Sequence, residues 1–314
     1  MNAHVFTSLA SAAHKGEPVA LAILTSVKGS SPQKAGALAL FHADGGIDGS
    51  IGGGVLEAEV QKRAIASLDS GKAVPFEFVS DRDFPRERAR ICGDRLTGWI
   101  FPNAQLAGAE FWDSLAAPRA VQRWGITRAF EFITGDRARS EADELLYHSV
   151  AVPPVALWLA GAGHVAQAVA PLAQNVGFHV HLFDDRPELV SHEIFPEETV
   201  LHCADWPALL RHTPAPPAFG VIMTRGHDHD DIVLRAWLPA GFSFLGMIGS
   251  RRKAQRTREA FVSEGVATAE EMAAIECPVG IDIAAQSPRE IAVSVVGRLI
   301  ERRANALQLT VSKH

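Results

Sequence analysis

The sequence predicts an α/β protein, a small N-terminal α/β domain followed by a C-terminal Rossmann-like domain built on a doubly wound parallel sheet. Three observations predict it. Val155–Ala160 is an unbroken apolar run with the length of a buried parallel strand, and Gly161-Ala-Gly163 follows at once. His164–Asn175 then carries apolar residues at helical spacing, and Phe178–Phe183 is a second apolar run that stops at Asp184-Asp185. From there strand-like and helix-like segments alternate to about residue 264, which is the pattern of a parallel sheet with crossover helices.

The glycines give the βαβ unit its chemistry. Gly161 permits a tight turn, and Gly163 lets an anion approach bare N–H groups at the positive end of a helix, with His164 inside the same turn. Ala166 supplies the third small residue of a G-x-G-x-x-A pattern. Asp184 lies 21 residues after Gly163, near the spacing of about 20 at which an acid accepts a hydrogen bond from a ribose hydroxyl. The unit is therefore a candidate site for a nucleotide or NAD.

Composition bounds the alternatives. The 314 residues suit two domains, and 47% hydrophobic with 21% charged residues is ordinary for a soluble globular chain. A net charge of −6 speaks against general nucleic-acid affinity, so any anion site is local. No apolar run approaches the roughly 20 residues of a membrane span, and the N-terminus has no secretory pattern, which gives a cytoplasmic expectation. Cys92, Cys203 and Cys277 are far apart and lack C-x-x-C spacing, so the expectation is reduced, mostly buried thiols and neither a disulfide framework nor a structural zinc.

In the N-terminal part, residues 3–15 read as an amphipathic helix, and Pro18–Thr25, Gly36–Phe41, Val74–Val79 and Leu96–Phe101 read as strands of one small sheet. Gly52, Gly53 and Gly54 open a helix with Leu56, Val60, Ala64 and Leu68 at four-residue intervals, a second candidate anion cradle. Glu57 sits in that helix's first turn, where it either stabilises the dipole or accepts hydrogen bonds from a donor-rich ligand such as a pterin edge. Domain boundaries follow as 1–105 for this domain, 106–152 for a connecting region with a charged helix near Arg137–Leu146, and 153–314 for the Rossmann-like domain entered through Val152-Pro-Pro154.

In the C-terminal part, Thr199–Cys203, Ala218–Thr224 and Phe242–Ile248 are the later strands. His227, Asp228, His229 and Asp230 follow one of them at the carboxyl edge of the sheet; neighbours in sequence face different ways, so no metal is assigned, and Asp228 is expected to cap the next helix. Ser250, Arg251 and Arg252 follow another glycine turn. Cations are disfavoured at a helix N-terminus, so their presence there points to a compensating phosphate. Ser287-Pro-Arg-Glu290 reads as a capping box that opens a long final helix.

Together the segments KGSSPQKAGA, GSIGGGVLEAEV, GAGHVAQAVAPLA, DDRPE, VIMTRGHDHD, FLGMIGSRRKAQR and CPVGIDIAAQSPREIAVS resemble the xanthine dehydrogenase accessory protein family, of XdhC/CoxI type, over nearly the whole chain. The resemblance implies a chaperone, not a catalyst, that binds the molybdenum cofactor (molybdopterin), shields it during sulfuration and passes it to apo-xanthine dehydrogenase or a related molybdenum hydroxylase. It also implies a cysteine desulfurase as partner and a homodimer. The sequence departs from the family pattern at Val55, where a cysteine that would ligate molybdenum is expected, and at Cys92-Gly-Asp94, where Cys-Gly-Gly is usual; Cys92 is the remaining candidate thiolate. The competing reading is an NAD(P)-dependent oxidoreductase or another nucleotide-binding enzyme using the Rossmann turn.

Overall fold

The computed structural model describes residues 3–28, 34–79, 95–140 and 144–311. It divides into two compact units, Met1–Pro153 and Pro154–His314.

In the first unit the central strand decides the layering. β1 (Val19–Lys28) lies between β2 (Leu38–His42) and β5 (Arg95–Pro102) in an antiparallel sheet of order β3-β2-β1-β5-β4, with β3 at Ile47–Gly49 and β4 at Val74–Val79. Residues 20–24 are fully buried, so both faces are covered, and the period of two sorts the side chains. Leu21 and Ile23 pack with Val5, Phe6 and Leu9 of helix α1 (Ala3–Lys15). Ala20, Ala22 and Leu24 pack with Leu56, Val60 and Ala64 of α2 (Gly54–Ser70).

Residues 106–152, expected from sequence as a connecting region, belong to this unit. Helix α3 (Ala109–Ala116) and a three-stranded sheet of order β7-β6-β8 (Phe132–Thr134, Gln122–Thr127, Leu145–Ala151) send Trp112, Trp124, Ile126, Tyr147 and Ala151 into the α1 core. The charged helix expected at Arg137–Leu146 is corrected: α4 is only Gly135–Ser140, and Leu145 begins a strand. Leu145 and Tyr147 alternate into the interior, and that period of two wins over local helix formers.

The second unit is a five-stranded parallel sheet of order β11-β10-β9-β12-β13. Its strands are Val200–Cys203, His179–Asp184, Ala156–Ala160, Ala218–Ile222 and Phe244–Met247. Leu157 and Leu159 of β9 face α5 (His164–Asn175) and α10 (Pro288–Val311), while Trp158 and Ala160 face the other layer. That layer contains α6 (Trp206–Leu209), α7 (His227–Trp237), α8 (Arg251–Ser263) and α9 (Ala269–Ala274). The strand order reverses between β9 and β12. The carboxyl ends of those two strands therefore flank the crevice at which doubly wound folds take ligands.

One feature of the outer layer governs acid sensitivity. His179 and His181 on β10, His202 on β11 and His212 form a contiguous ring cluster, with His181 Nδ1 3.2 Å from His202 Nε2. Burial, then the neighbouring His179, His202 and His212, push the His181 pKa down to about 4, and burial followed by His212 lowers that of His202. The unfolded chain therefore binds protons at higher pH than the native one, and stability falls as pH drops from about 6.5 towards 4. Thermal melts between pH 7 and 4.5 should show a falling midpoint, and His181→Phe should flatten that dependence; a wild-type midpoint constant over this range would refute the cluster's role.

Candidate functional site

The N-terminal glycine loop is shaped as the sequence suggests but carries its own anion. Gly52, Gly53 and Gly54 all adopt positive φ (141°, 69° and 60°), and α2 begins at Gly54. Glu57 folds back on this loop: its Oε2 accepts hydrogen bonds from Ser50 Oγ (2.8 Å), the Ile51 amide (3.0 Å) and the Gly53 amide (3.4 Å). A side-chain carboxylate thus satisfies amide groups that the bare glycine pattern offers to a ligand. Val55, in the first turn, is exposed at 41%. Cys92 lies outside the described residues.

The C-terminal glycine turn is held from both sides. Gly161 has φ of +114°, and a Cβ there would fall 2.7 Å from the Met223 carbonyl carbon and 2.9 Å from Thr224 Cα, so this position requires glycine. Gly163 is the N-cap of α5 with no side-chain cap and open space beside it, and His164 is exposed at the first helical position.

Asp184 is buried, and its carboxylate is fully engaged within the protein. Oδ2 accepts from the Ala162 amide (2.7 Å) and from Arg186 Nη2 (2.8 Å), while Oδ1 accepts from Arg186 Nε (2.8 Å) and the Arg186 amide (3.0 Å). Burial raises its pKa, but the Arg186 side chain and the two amides outweigh burial and hold the carboxyl below its ordinary value. The acid expected to face a ribose hydroxyl instead fastens the glycine turn to the end of β10.

Sequence reasoning missed the side chains that cross this edge. Arg225, past the end of β12, makes a forked ion pair with Asp185, past the end of β10, at 2.9 and 2.8 Å. Next to it, buried Asp230 accepts from Thr224 Oγ1 (2.7 Å) and pairs with Lys253, whose ammonium also donates to the Ile248 carbonyl (3.2 Å). The visible signal was the chemistry at strand ends, an acid after β10 and an arginine after β12. Asp228 does not cap α7 as expected; Gly226 is the N-cap and Asp228 stands in the first turn. No group of three or more His, Cys, Asp or Glu able to hold a metal occurs among the described residues.

The α7 and α8 starts enclose an open cleft of about 420 Å³, within the size range of small-molecule sites. Ser250 caps α8 through its Oγ, which accepts from the Lys253 amide (3.2 Å). Arg252 and Arg256, one turn apart on α8, line the cleft, and Arg251 does not. Sequence reasoning paired Arg252 with its neighbour, whereas the helical period pairs it with the residue four along. Neither Arg252 nor Arg256 has an ion-pair partner among the described residues, while Asp230 and Asp231 on the facing wall are taken by Lys253 and Arg235 and Asp228 remains free. Cys203 is exposed, correcting the expectation of a buried thiol, and its pKa is raised by burial and by Asp184, Asp185 and Glu188. Burial also raises the thiol pKa of Cys277, with Lys253 opposing it.

Residues 157–299 match the XdhC Rossmann domain, and residues 12–78 match the XdhC and CoxI family. The chain belongs to that family. Its relatives are similar at modest identity: 28% over 96% of this chain to the Escherichia coli K12 uncharacterized protein YqeB, of whose length the chain spans 47%. A Bacillus subtilis protein described as a probable xanthine dehydrogenase component is 26% identical over 91% of this chain and 94% of its own length. A crystal structure described as a xanthine dehydrogenase from Bacillus halodurans superposes with a TM-score of 0.80 over 96% of both chains at 22% identity, which speaks for the XdhC fold alone. No helix among the described residues is long and apolar enough to cross a membrane.

The Asp184 geometry gives a direct expectation. Asp184→Ala leaves the Ala162 amide and the Arg186 guanidinium without acceptors in a buried place, which should cost about 1–3 kcal/mol for the orphaned donors. Denaturant unfolding should show that loss; an unchanged midpoint would contradict the fastening role.

Proposed function

We propose that this XdhC-family chain is an accessory factor of a xanthine dehydrogenase-type molybdenum hydroxylase, and that it carries the molybdenum cofactor as cargo to the apo-enzyme after sulfuration. A cysteine desulfurase is the partner for that sulfuration step in this reading, and a second copy of the chain completes the carrier. Family membership over both units supports the accessory role, and the α7–α8 cleft is the observation that carries the cargo reading.

The cleft is charge-separated. Arg252 and Arg256 put two unpaired guanidiniums on the α8 wall, and Asp228 puts a free carboxylate on the α7 wall. Like charges one turn apart disfavour a helix by about 0.2–0.5 kcal/mol, and cations in its first turn oppose the dipole. An anion between them reverses both terms. Molybdopterin is a phosphorylated pterin, with an anion at one end and hydrogen-bond donors on the ring, so it matches cations on one wall and an acceptor on the other. The arginines hold and orient the phosphate by charge-assisted hydrogen bonds, and Asp228 accepts from the ring edge.

The metal end fits less well. Val55 offers no ligand, and the Cys203 and Cys277 thiols are held protonated by their surroundings. The carrier therefore grips its cargo by the organic part, with no protein sulfur on molybdenum supplied by the described residues. In the N-terminal unit Glu57 already occupies the loop amides, so its role is to keep the glycine loop in shape, leaving the open flank of Gly53 and Gly54 as approach surface.

Anaerobic gel filtration with purified cofactor tests this. The wild type should co-elute with it and restore activity to apo-hydroxylase; the Arg252→Ala/Arg256→Ala double variant should lose at least about tenfold in retention, from two charge-assisted bonds. Val55→Cys should tighten retention by adding a thiolate ligand. Absence of both co-elution and rescue by the wild type would overturn the reading.

A further inference from the structure

The forked pair Arg225–Asp185 has a place in the fold that neither its stability nor the carrier reading explains. In the sheet, β10 and β12 are not neighbours, since β9 lies between them. Adjacent strands are about 4.8 Å apart, so the ends of β10 and β12 stand roughly 10 Å from one another. Asp185 is the first residue beyond β10 and Arg225 the third beyond β12. A bidentate pair joining them spans the end of β9 and the glycine turn that leaves it.

Both footings of this span are fixed. On the β10 side the Gly161 amide donates to the Phe183 carbonyl (2.8 Å), and Asp184 grips the Ala162 amide beside it. On the β12 side the Met223 amide donates to the Ala160 carbonyl (2.8 Å), and Thr224 is tied to Asp230. His229 braces the span from α7, 3.4 Å from Arg225 Nη2, and packs on Trp206. A dinucleotide in a doubly wound fold lies along that same line, from the acid after the second strand, over the glycine turn, to the region beyond the fourth strand.

From this geometry we infer that Arg225–Asp185 is a latch across the crevice that bars an extended dinucleotide from this Rossmann unit. The closed latch occupies the pyrophosphate path and sets the Asp185 carboxylate in it. Opening by loss of Asp185 removes that negative charge and turns the Arg225 guanidinium into a receptor for pyrophosphate. The side chains are 41% and 22% exposed, so the pair contributes little to folding and its removal leaves the fold in place. The inference is independent of the cargo reading, which concerns the α7–α8 cleft.

The test is titration of the full-length chain with NADH and NADPH, followed by nicotinamide fluorescence, and with ADP-ribose by calorimetry. The wild type should not approach half-saturation below about 1 mM, and Asp185→Ala and the isosteric Asp185→Asn should each bind at least about tenfold more tightly while melting like the wild type. Saturation of the wild type in the micromolar range overturns the latch. So does a failure of both folded variants to gain affinity.

Discussion

The C-terminal unit depends on one buried carboxylate. Asp184 ends the second strand of the parallel sheet and accepts four hydrogen bonds, one of them from the middle residue of the glycine turn after the first strand. A buried carboxylate is tolerated only when paired and hydrogen-bonded, and Arg186 meets that condition two residues along the chain. The consequence reaches function. An acid that in a dinucleotide-binding fold faces a ribose is here part of the scaffold, so the turn keeps the shape of a nucleotide site while its specificity group points inward.

Anion recognition is then displaced along the sheet edge rather than lost. Beyond β13, α8 opens with three cations, and only Lys253 is neutralised internally, by Asp230. The other cations that face the cleft are Arg252 and Arg256, and the arrangement leaves a positive wall opposite Asp228. The N-terminal unit shows the converse solution. Three glycines expose amide groups at the start of α2, and Glu57 from the same helix satisfies them, so the loop is preorganised by its own carboxylate.

Much of this was legible in the sequence, for physical reasons. Buried parallel strands read as continuous apolar runs, and for β9, β10 and β12 the observed bounds fall within two residues of those runs. The family resemblance rested on long motifs in order and agrees with the two matched domains. Short-range periodicity was weaker where charge was dense: Leu145 and Leu146 read as the end of a helix and instead open a strand, because Ile126 and Thr127 wait across the sheet. Helix α9 was announced by Thr268 and Glu271, whose reciprocal capping box is present, although that signature is short and sits in an alanine-rich stretch. The site was less legible, because partners such as Arg225 with Asp185 lie 40 residues apart and meet only once the strand order is known. Glycine motifs announce available amides; they do not announce which carboxylate of the same chain takes them.

The most direct measurement of the central claim is a crystal structure of the chain with the molybdenum cofactor bound under anaerobic conditions. The account predicts phosphate density between the Arg252 and Arg256 guanidiniums, with Asp184 still bonded to the Ala162 amide. Phosphate seated on Gly161–Gly163, with Asp184 swung out towards the ligand, would contradict it.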